Sequence, residues 1–172
     1  MTVAYIGLGS NLNQPLQQIK SAITRLAGIP KTHLKCVSRL YRTAPLGSAL
    51  DTSPVQPDYL NATVKLSTHL SAHELLDCLH DIENAQGRIR TADRWSARTL
   101  DLDLLLYGDE IIDTHDLVVP HPAIQHRSFV LYPLLDITPD LNVPQLGSVK
   151  SLIKNLSDLP PKVVIDAALK LP

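Results

Sequence analysis

Aromatic residues are scarce, with one Phe, one Trp and five Tyr among 172 residues. Charge is nearly balanced, Lys+Arg 16 against Asp+Glu 17. Few stacking platforms and no general positive field argue against a nucleic-acid-binding module. No uncharged apolar run approaches the roughly 20 residues that span a bilayer, and Met1-Thr2-Val3-Ala4-Tyr5 lacks a basic leader region. A cytoplasmic protein with no membrane partner is therefore expected. Cys36 and Cys78 are too far apart for a Cys-x-x-Cys site and too few for a disulfide framework, so buried free thiols are expected. No Gly precedes a Lys, so Gly-x-x-x-x-Gly-Lys is absent and a P-loop is excluded. Gly7-Leu8-Gly9 begins like a dinucleotide fingerprint, but Leu12 holds the third glycine position, and those glycines read as a tight turn with close backbone approach.

With 44% hydrophobic and 19% charged residues, the chain has the composition of a globular protein and the length of one domain, residues 1–172. A monomer is expected. Val3 to Leu8 reads as a buried strand entering a turn. A helix follows, capped by Asn13, with Pro15 in its first turn, an apolar stripe of Leu16, Ile19, Ile23 and Leu26, and a stop at Gly28 and Pro30. Leu34 to Thr43 reads as a second strand, and Ala44 to Asp58 as a long Pro-, Ser- and Asp-rich loop. Leu60, Ala62, Val64 and Leu66 alternate with polar residues, which predicts a strand that turns Asn61 away from its apolar layer. Ser71-Ala72-His73-Glu74 is a capping-box pattern opening a helix with Leu75, Leu76, Leu79 and Ile82 on one face, ending near Gly87. Asp101 to Tyr107 completes a β-α-β-β-α-β order. That order predicts an α+β, ferredoxin-like fold, an antiparallel sheet with both helices on one side, plus a C-terminal extension with one or two short helices.

In Asp101-Leu102-Asp103-Leu104-Leu105-Leu106-Tyr107 the two-residue period puts Leu102, Leu104 and Leu106 on one face and both aspartates on the other. Their Cα atoms should lie about 6.6 Å apart. Carboxylates so placed repel unless a cation sits between them, and hard oxygen ligands suit magnesium. Alone, the pattern favours a solvated strand face. Just before it stand Arg88, Arg90, Arg94 and Arg98, half of the eight arginines, with the single tryptophan, Trp95. Guanidinium forks match phosphate oxygens, so a cluster of them feeding a metal strand reads as a polyphosphate clamp, ahead of a merely solvated loop. His121, between two prolines, and Arg127 are further phosphate donors or ordinary loop residues. Tyr59, Asn61 and Phe129 suit stacking on a flat heterocycle and reading its edge, although as isolated residues such side chains are more often core. His69 and His73 lack a third ligand and receive no role.

Read in order, Gly9-Ser10-Asn11, Tyr41-Arg42-Thr43-Ala44-Pro45-Leu46-Gly47, Pro57-Asp58-Tyr59-Leu60-Asn61-Ala62, Gly87-Arg88-Ile89-Arg90, Arg94 to Asp103 and Val119-Pro120-His121-Pro122 resemble the 6-hydroxymethyl-7,8-dihydropterin pyrophosphokinase family. The resemblance runs over residues 1–136. It implies a ferredoxin-like fold and transfer of the diphosphate of ATP, as co-substrate, to 6-hydroxymethyl-7,8-dihydropterin, in folate biosynthesis. It implies two magnesium ions on Asp101 and Asp103. Arg88, Arg94 and Arg98 join the aspartates as catalytic residues. Glu83, Arg88, Arg90, Arg94, Trp95, Arg98, His121 and Arg127 are implied at the ATP site, with Arg90 and Trp95 in a catalytic loop. Thr43, Pro45, Leu46, Tyr59, Asn61, Trp95 and Phe129 are implied at the pterin. Ser96-Ala97 stands where members often have Gly-Pro, Ala44 where many have Pro, and the 47–56 loop is longer than usual. The segments 87–97 and 47–56 are expected to close over loaded substrates. The rival readings are a two-metal phosphodiesterase and a ferredoxin-like nucleic-acid-binding module.

Overall fold

The computed structural model describes residues 1–45, 57–87 and 99–165, together with Leu169 and Leu171. Its core elements are β1 (Thr2–Ser10), α1 (Pro15–Ala27), β2 (Thr32–Val37), β3 (Tyr41–Thr43), β4 (Tyr59–Thr68), α2 (Ala72–Ala85) and β5 (Asp101–Tyr107). β4 pairs antiparallel with β1 along one edge and with β2 and β3 along the other, and β5 pairs antiparallel with the far edge of β1. With β2 and β3 taken as one interrupted strand, this is the ferredoxin-like order that the sequence predicts.

The interruption has a local cause. Ser38 N–H donates to the Thr63 carbonyl, but the returning Thr63 N–H goes to the Ser38 hydroxyl rather than to backbone, 2.9 Å in each case. A side chain thus substitutes for a ladder partner, and the expected single strand from Leu34 to Thr43 becomes two. The start of α1 also differs from expectation. Gln14, not Asn13, is its N-cap, in the left-handed region and without a side-chain cap, and the helix begins directly on Pro15. The predicted capping box of α2 is present, with Ser71 accepting from Glu74 N–H and the Glu74 carboxylate accepting from Ser71 N–H.

Both α1 and α2 cover one face of the sheet. Ile19, Ile23 and Leu26 of α1 and Leu75, Leu79 and Ile82 of α2 share a cluster with Ile6, Leu8, Val64, Leu66, Leu102 and Leu104. Each such side chain stabilises the fold by about 1.5–3 kcal/mol on burial. The hairpin of β6 (Ile112–Asp113) and β7 (Val118–Val119) follows β5. A 3₁₀ turn at Ile124–His126 then leads into α3 (Ser128–Ile137). A second hairpin, β8 (Asn142–Val143) and β9 (Gly147–Ser148), runs into α4 (Val149–Lys154), and β10 (Lys162–Val163) joins the edge of β3.

The helices α3 and α4 lie on the other face, where Val130, Leu131, Leu134, Val149 and Leu152 form a second cluster with Tyr5, Leu105 and Leu106. Leu106 is a correction to the simple alternation. On β1, Tyr5 stands opposite Leu106 and Ile6 opposite Leu104, so Leu105 is an extra residue in β5. This bulge turns Leu106 toward α3 while Tyr107 joins the α1 and α2 side. Cys36 and Cys78 are free and half-buried. Among the described residues no helix is long and apolar enough to cross a membrane.

Candidate active site

The second cluster covers the part of the sheet that holds Tyr5 and leaves another stretch of the same face open. Gly7 and Gly9 follow Tyr5 at the two-residue period, and their ladder partners are Asp103 and Asp101. Across β1 from Asp101, Gly9 also pairs with Asn61; Asn61 in turn pairs with Tyr41, and Tyr59 with Thr43. One face therefore carries Asp103, Asp101, Asn61, Tyr59 and Thr43, with a strand between them that presents hydrogens instead of side chains. A Cβ built on Gly9 would lie 3.5 Å from Asn61 Oδ1 and 3.9 Å from Asp101 Cβ. The missing side chain is what keeps the floor between carboxylate and amide open.

Asn61 is buried and its orientation is fixed by its Nδ2, which donates to Thr43 Oγ1 at 2.9 Å. The amide oxygen then faces Gly9, so the strand turns this side chain as the alternation predicts. Pro45 is half-buried at the end of the segment that follows β3.

Arg127 is the N-cap of α3, and this places its Nη1 3.5 Å from Asp103 Oδ2 and its guanidinium 5.8 Å from the centre of the Phe129 ring. His121 is tied to the sheet by its N–H, which donates to the Leu105 carbonyl, and its Nδ1 accepts from Ala123 N–H at 3.1 Å. Burial, reinforced by the Arg127 charge and opposed by Asp101, pushes the His121 imidazole down to about 4. It is neutral at pH 7, and with Nδ1 accepting, the proton sits on Nε2. That atom is 3.9 Å from Asp103 Oδ2, a polar contact to a neutral ring rather than an ion pair.

Glu83 is completely buried in α2, and its Oε1 accepts from Leu102 N–H at 2.7 Å. Leu102 is the residue between the two aspartates, so this carboxylate fixes the backbone of the metal-binding candidate from the side opposite the open face. Ser10 and Asn11 are buried and have no role in the composition and motif chemistry above. Ser10 Oγ donates to the Thr99 carbonyl and Asn11 Nδ2 to the Pro57 carbonyl, which ties the end of β1 to the entries of both β5 and β4. Their sequence signal is their place in Gly9-Ser10-Asn11. Leu46, Arg88, Arg90, Arg94, Trp95 and Arg98 lie outside the described residues, as do the 47–56 segment and, apart from Gly87, the 87–97 segment expected to close.

The described donors suit a cation that takes few protein ligands. No group of three or more His, Cys, Asp or Glu is gathered to hold a metal among the described residues. Two carboxylates on an open face match magnesium, which keeps waters and phosphate oxygens in its shell, better than a closed four-ligand zinc site.

The model of the 7,8-dihydro-6-hydroxymethylpterin-pyrophosphokinase family matches residues 5–139. The chain is 46% identical over 158 residues to a 2-amino-4-hydroxy-6-hydroxymethyldihydropteridine pyrophosphokinase of Haemophilus influenzae, covering 92% of this chain and 95% of that one. It is 47% identical over 140 residues to the Pseudomonas aeruginosa protein of the same name, covering 81% and 83%. Among solved structures, wild-type Plasmodium falciparum HPPK-DHPS with pteroate superposes with a TM-score of 0.69 at 14% identity, over 89% of this chain and 44% of that chain. An HPPK-DHPS in complex with substrates gives 0.67 at 13%, over 90% and 45%. The chain spans less than half the length of those two structures, and the likeness to them is one of fold.

Proposed function

The chain belongs to the 7,8-dihydro-6-hydroxymethylpterin-pyrophosphokinase family, and from that premise we propose that it transfers the diphosphate of ATP to 6-hydroxymethyl-7,8-dihydropterin. The products are the pterin diphosphate and AMP, and the reaction serves folate biosynthesis. The observation that carries the reading at residue level is the sheet face on which Gly9 separates Asp101 from the Asn61 and Thr43 pair, with Asp103 beside Asp101 on the same strand.

Each half of that face has its own chemistry. On the β4 side, the Asn61 amide is held by Thr43 and is ready to read the hydrogen-bonding edge of a pterin, while Tyr59 and Phe129 supply flat apolar surface. On the β5 side, Asp101 and Asp103 would hold magnesium, two ions in this reading. A cation held by these two carboxylates would supply neutralisation of the charge that develops in transfer. Arg127 and the Nε2–H of neutral His121 converge on Asp103 and are donors for a phosphate brought to the same place. By the family resemblance, Arg88, Arg94 and Arg98 would supply further guanidinium donors to the phosphates, and Arg90 and Trp95 would also serve the ATP site. The pterin hydroxymethyl oxygen attacks the β-phosphorus in line with the departing AMP oxygen. Positioning and charge neutralisation carry such a step, so no strong protein base is required.

The test is a coupled measurement of AMP with purified protein, MgATP and the reduced pterin. AMP should appear only when the pterin is present, and Asp101→Ala or Asp103→Ala should abolish it without lowering the melting temperature. AMP release without acceptor would instead favour the phosphodiesterase reading.

A further inference from the structure

The C-terminal segment lies beyond the family match, which ends at residue 139, yet it returns to the site. β10 pairs antiparallel with β3, Lys162 opposite Arg42 and Val163 opposite Tyr41, and Val164 N–H donates to the Leu40 carbonyl at 2.8 Å. The ladder ends where Pro160 and Pro161 replace N–H donors with rings. There the chain parts from β3, and a cavity of about 740 Å3 opens between the tail, Thr43 and Phe129. That volume is typical of a small-molecule site, about 300–1,000 Å3.

Strand alternation fixes what the tail presents. Val163 stands on the face of Tyr41 and Thr43, and so does Pro161, two residues before it. Tyr41 Oη donates to Asp136 of α3, so this is the face on which α3 and Phe129 stand. Leu159 and Ile165, both 1–2 positions beyond the rings or strand end, also line the cavity and remain 87% and 89% exposed. Leu159, Pro161 and Val163 line the same cavity as Phe129 and give it an apolar side stiffened by two prolines, while Arg42, Asp58, Asp158 and Lys162 supply its charged lining.

We propose that this tail, with Leu159, Pro161 and Val163 as its contact residues, is the outer wall of the acceptor site and helps determine affinity and selectivity for the pterin. The inference rests on the pyrophosphokinase reading, because Thr43 and Phe129 join the cavity to the proposed pterin residues. The bicyclic ring lies against Phe129, and the tail excludes water from its outer edge. Asp101, Asp103, His121 and Arg127, the described residues of the phosphate half, do not line this cavity.

Isothermal titration of pterin in the presence of a non-hydrolysable ATP analogue and magnesium tests the proposal on three proteins. These are the wild type, Leu159→Ser, and a chain ending at Leu156. Pterin affinity should fall roughly five- to tenfold in Leu159→Ser and further in the truncated chain, as for loss of an apolar wall. Analogue affinity should stay within about twofold and the melting temperature of Leu159→Ser should not move, since an exposed side chain is replaced. Unchanged pterin affinity in both variants, or equal losses for pterin and analogue, would overturn the proposal. A wild-type protein that binds no pterin would instead defeat the family-level assignment of the substrate.

Discussion

Gly9 stands opposite Asp101 on one ladder and opposite Asn61 on the other, so a single residue without a side chain separates the two halves of the site. A methyl group there would meet Asn61 Oδ1 and Asp101 Cβ at ordinary contact distances, 3.5 and 3.9 Å. Gly9→Ala should therefore fold with stability equal to or up to about 1 kcal/mol above the wild type, since alanine restricts the unfolded chain. Gly9→Leu should fold too, because the added atoms enter an open face. They would occupy the floor between amide and carboxylate, and pterin affinity should drop on the order of tenfold or more. Thermal melts and pterin titration on both variants check this; undiminished binding by Gly9→Leu would show that the ligand does not use that floor.

Glu83 offers a test of how the aspartates are held. Its carboxylate accepts the Leu102 N–H from a fully buried position. Glu83→Ala strands that donor and leaves a cavity, and should cost about 1–3 kcal/mol for the donor alone. Glu83→Gln keeps an acceptor at the same place and should recover most of that stability. Denaturant melts of the pair separate the two. If alanine and glutamine variants are equally stable, the bond to Leu102 contributes little and the side chain matters through its charge.

Much of this site was readable because it follows from alternation. Asp101 and Asp103 share a face by the period of two, and Leu60, Ala62 and Val64 turned Asn61 the other way, whereas Gly7 and Gly9, expected in a tight turn, lie inside β1 opposite Asp103 and Asp101. What escaped depended on partners distant in sequence. The flip of Leu106 comes from a bulge that exists only against Tyr5 and Ile6 of β1. The break after Val37 arises because a Ser38 hydroxyl meets Thr63 of another strand. Ser10 and Asn11 looked like turn residues, since their acceptors, the Thr99 and Pro57 carbonyls, are chosen by the sheet and not by neighbours in the chain. The tail was opaque for the same reason, as Lys162 and Val163 form too short a strand to show a period and become one only on β3.

The link between β2 and β3 is fastened to the far end of α3 by Asp136, which accepts from Arg39 Nη2 at 2.6 Å and from Tyr41 Oη at 2.7 Å. Burial raises the Asp136 carboxyl, but the hydrogen bonds from Arg39 and Tyr41 outweigh it and hold the group below its ordinary value of 3.8. A folded-state value below the unfolded one means that the stabilisation is complete above the unfolded pKa and is lost as pH falls through the folded one. Because Arg39 is 62% exposed, screening limits the effect, and about 1–2 kcal/mol is expected at pH 7. Asp136→Asn should be less stable by that amount at pH 7, and the gap should begin to narrow only as pH falls below about 4. Urea melts from pH 7 to 3 measure it. A gap that stays constant over that range would mean that the charge of Asp136 plays no part.

Phe129 stands two residues after Arg127, yet the proposed function assigns it to the pterin half, and that division is testable. Its ring borders the cavity lined by Thr43 and the tail, and the Arg127 guanidinium lies 5.8 Å from its centre. Phe129→Ala removes apolar area and stacking and should weaken pterin binding by about 1–3 kcal/mol. The loss of the ring beside the partly buried Arg127 should affect nucleotide binding by no more than about 1 kcal/mol. Phe129→Leu separates the two contributions: it keeps much of the apolar area without the flat face, so its pterin affinity should fall between wild type and alanine. Because the ring is only partly buried against the α3 cluster, neither variant should unfold the protein, and thermal melts can confirm that before titration. Calorimetry that finds pterin and a non-hydrolysable ATP analogue weakened to the same extent would place Phe129 at the junction of both ligands instead of in the acceptor half.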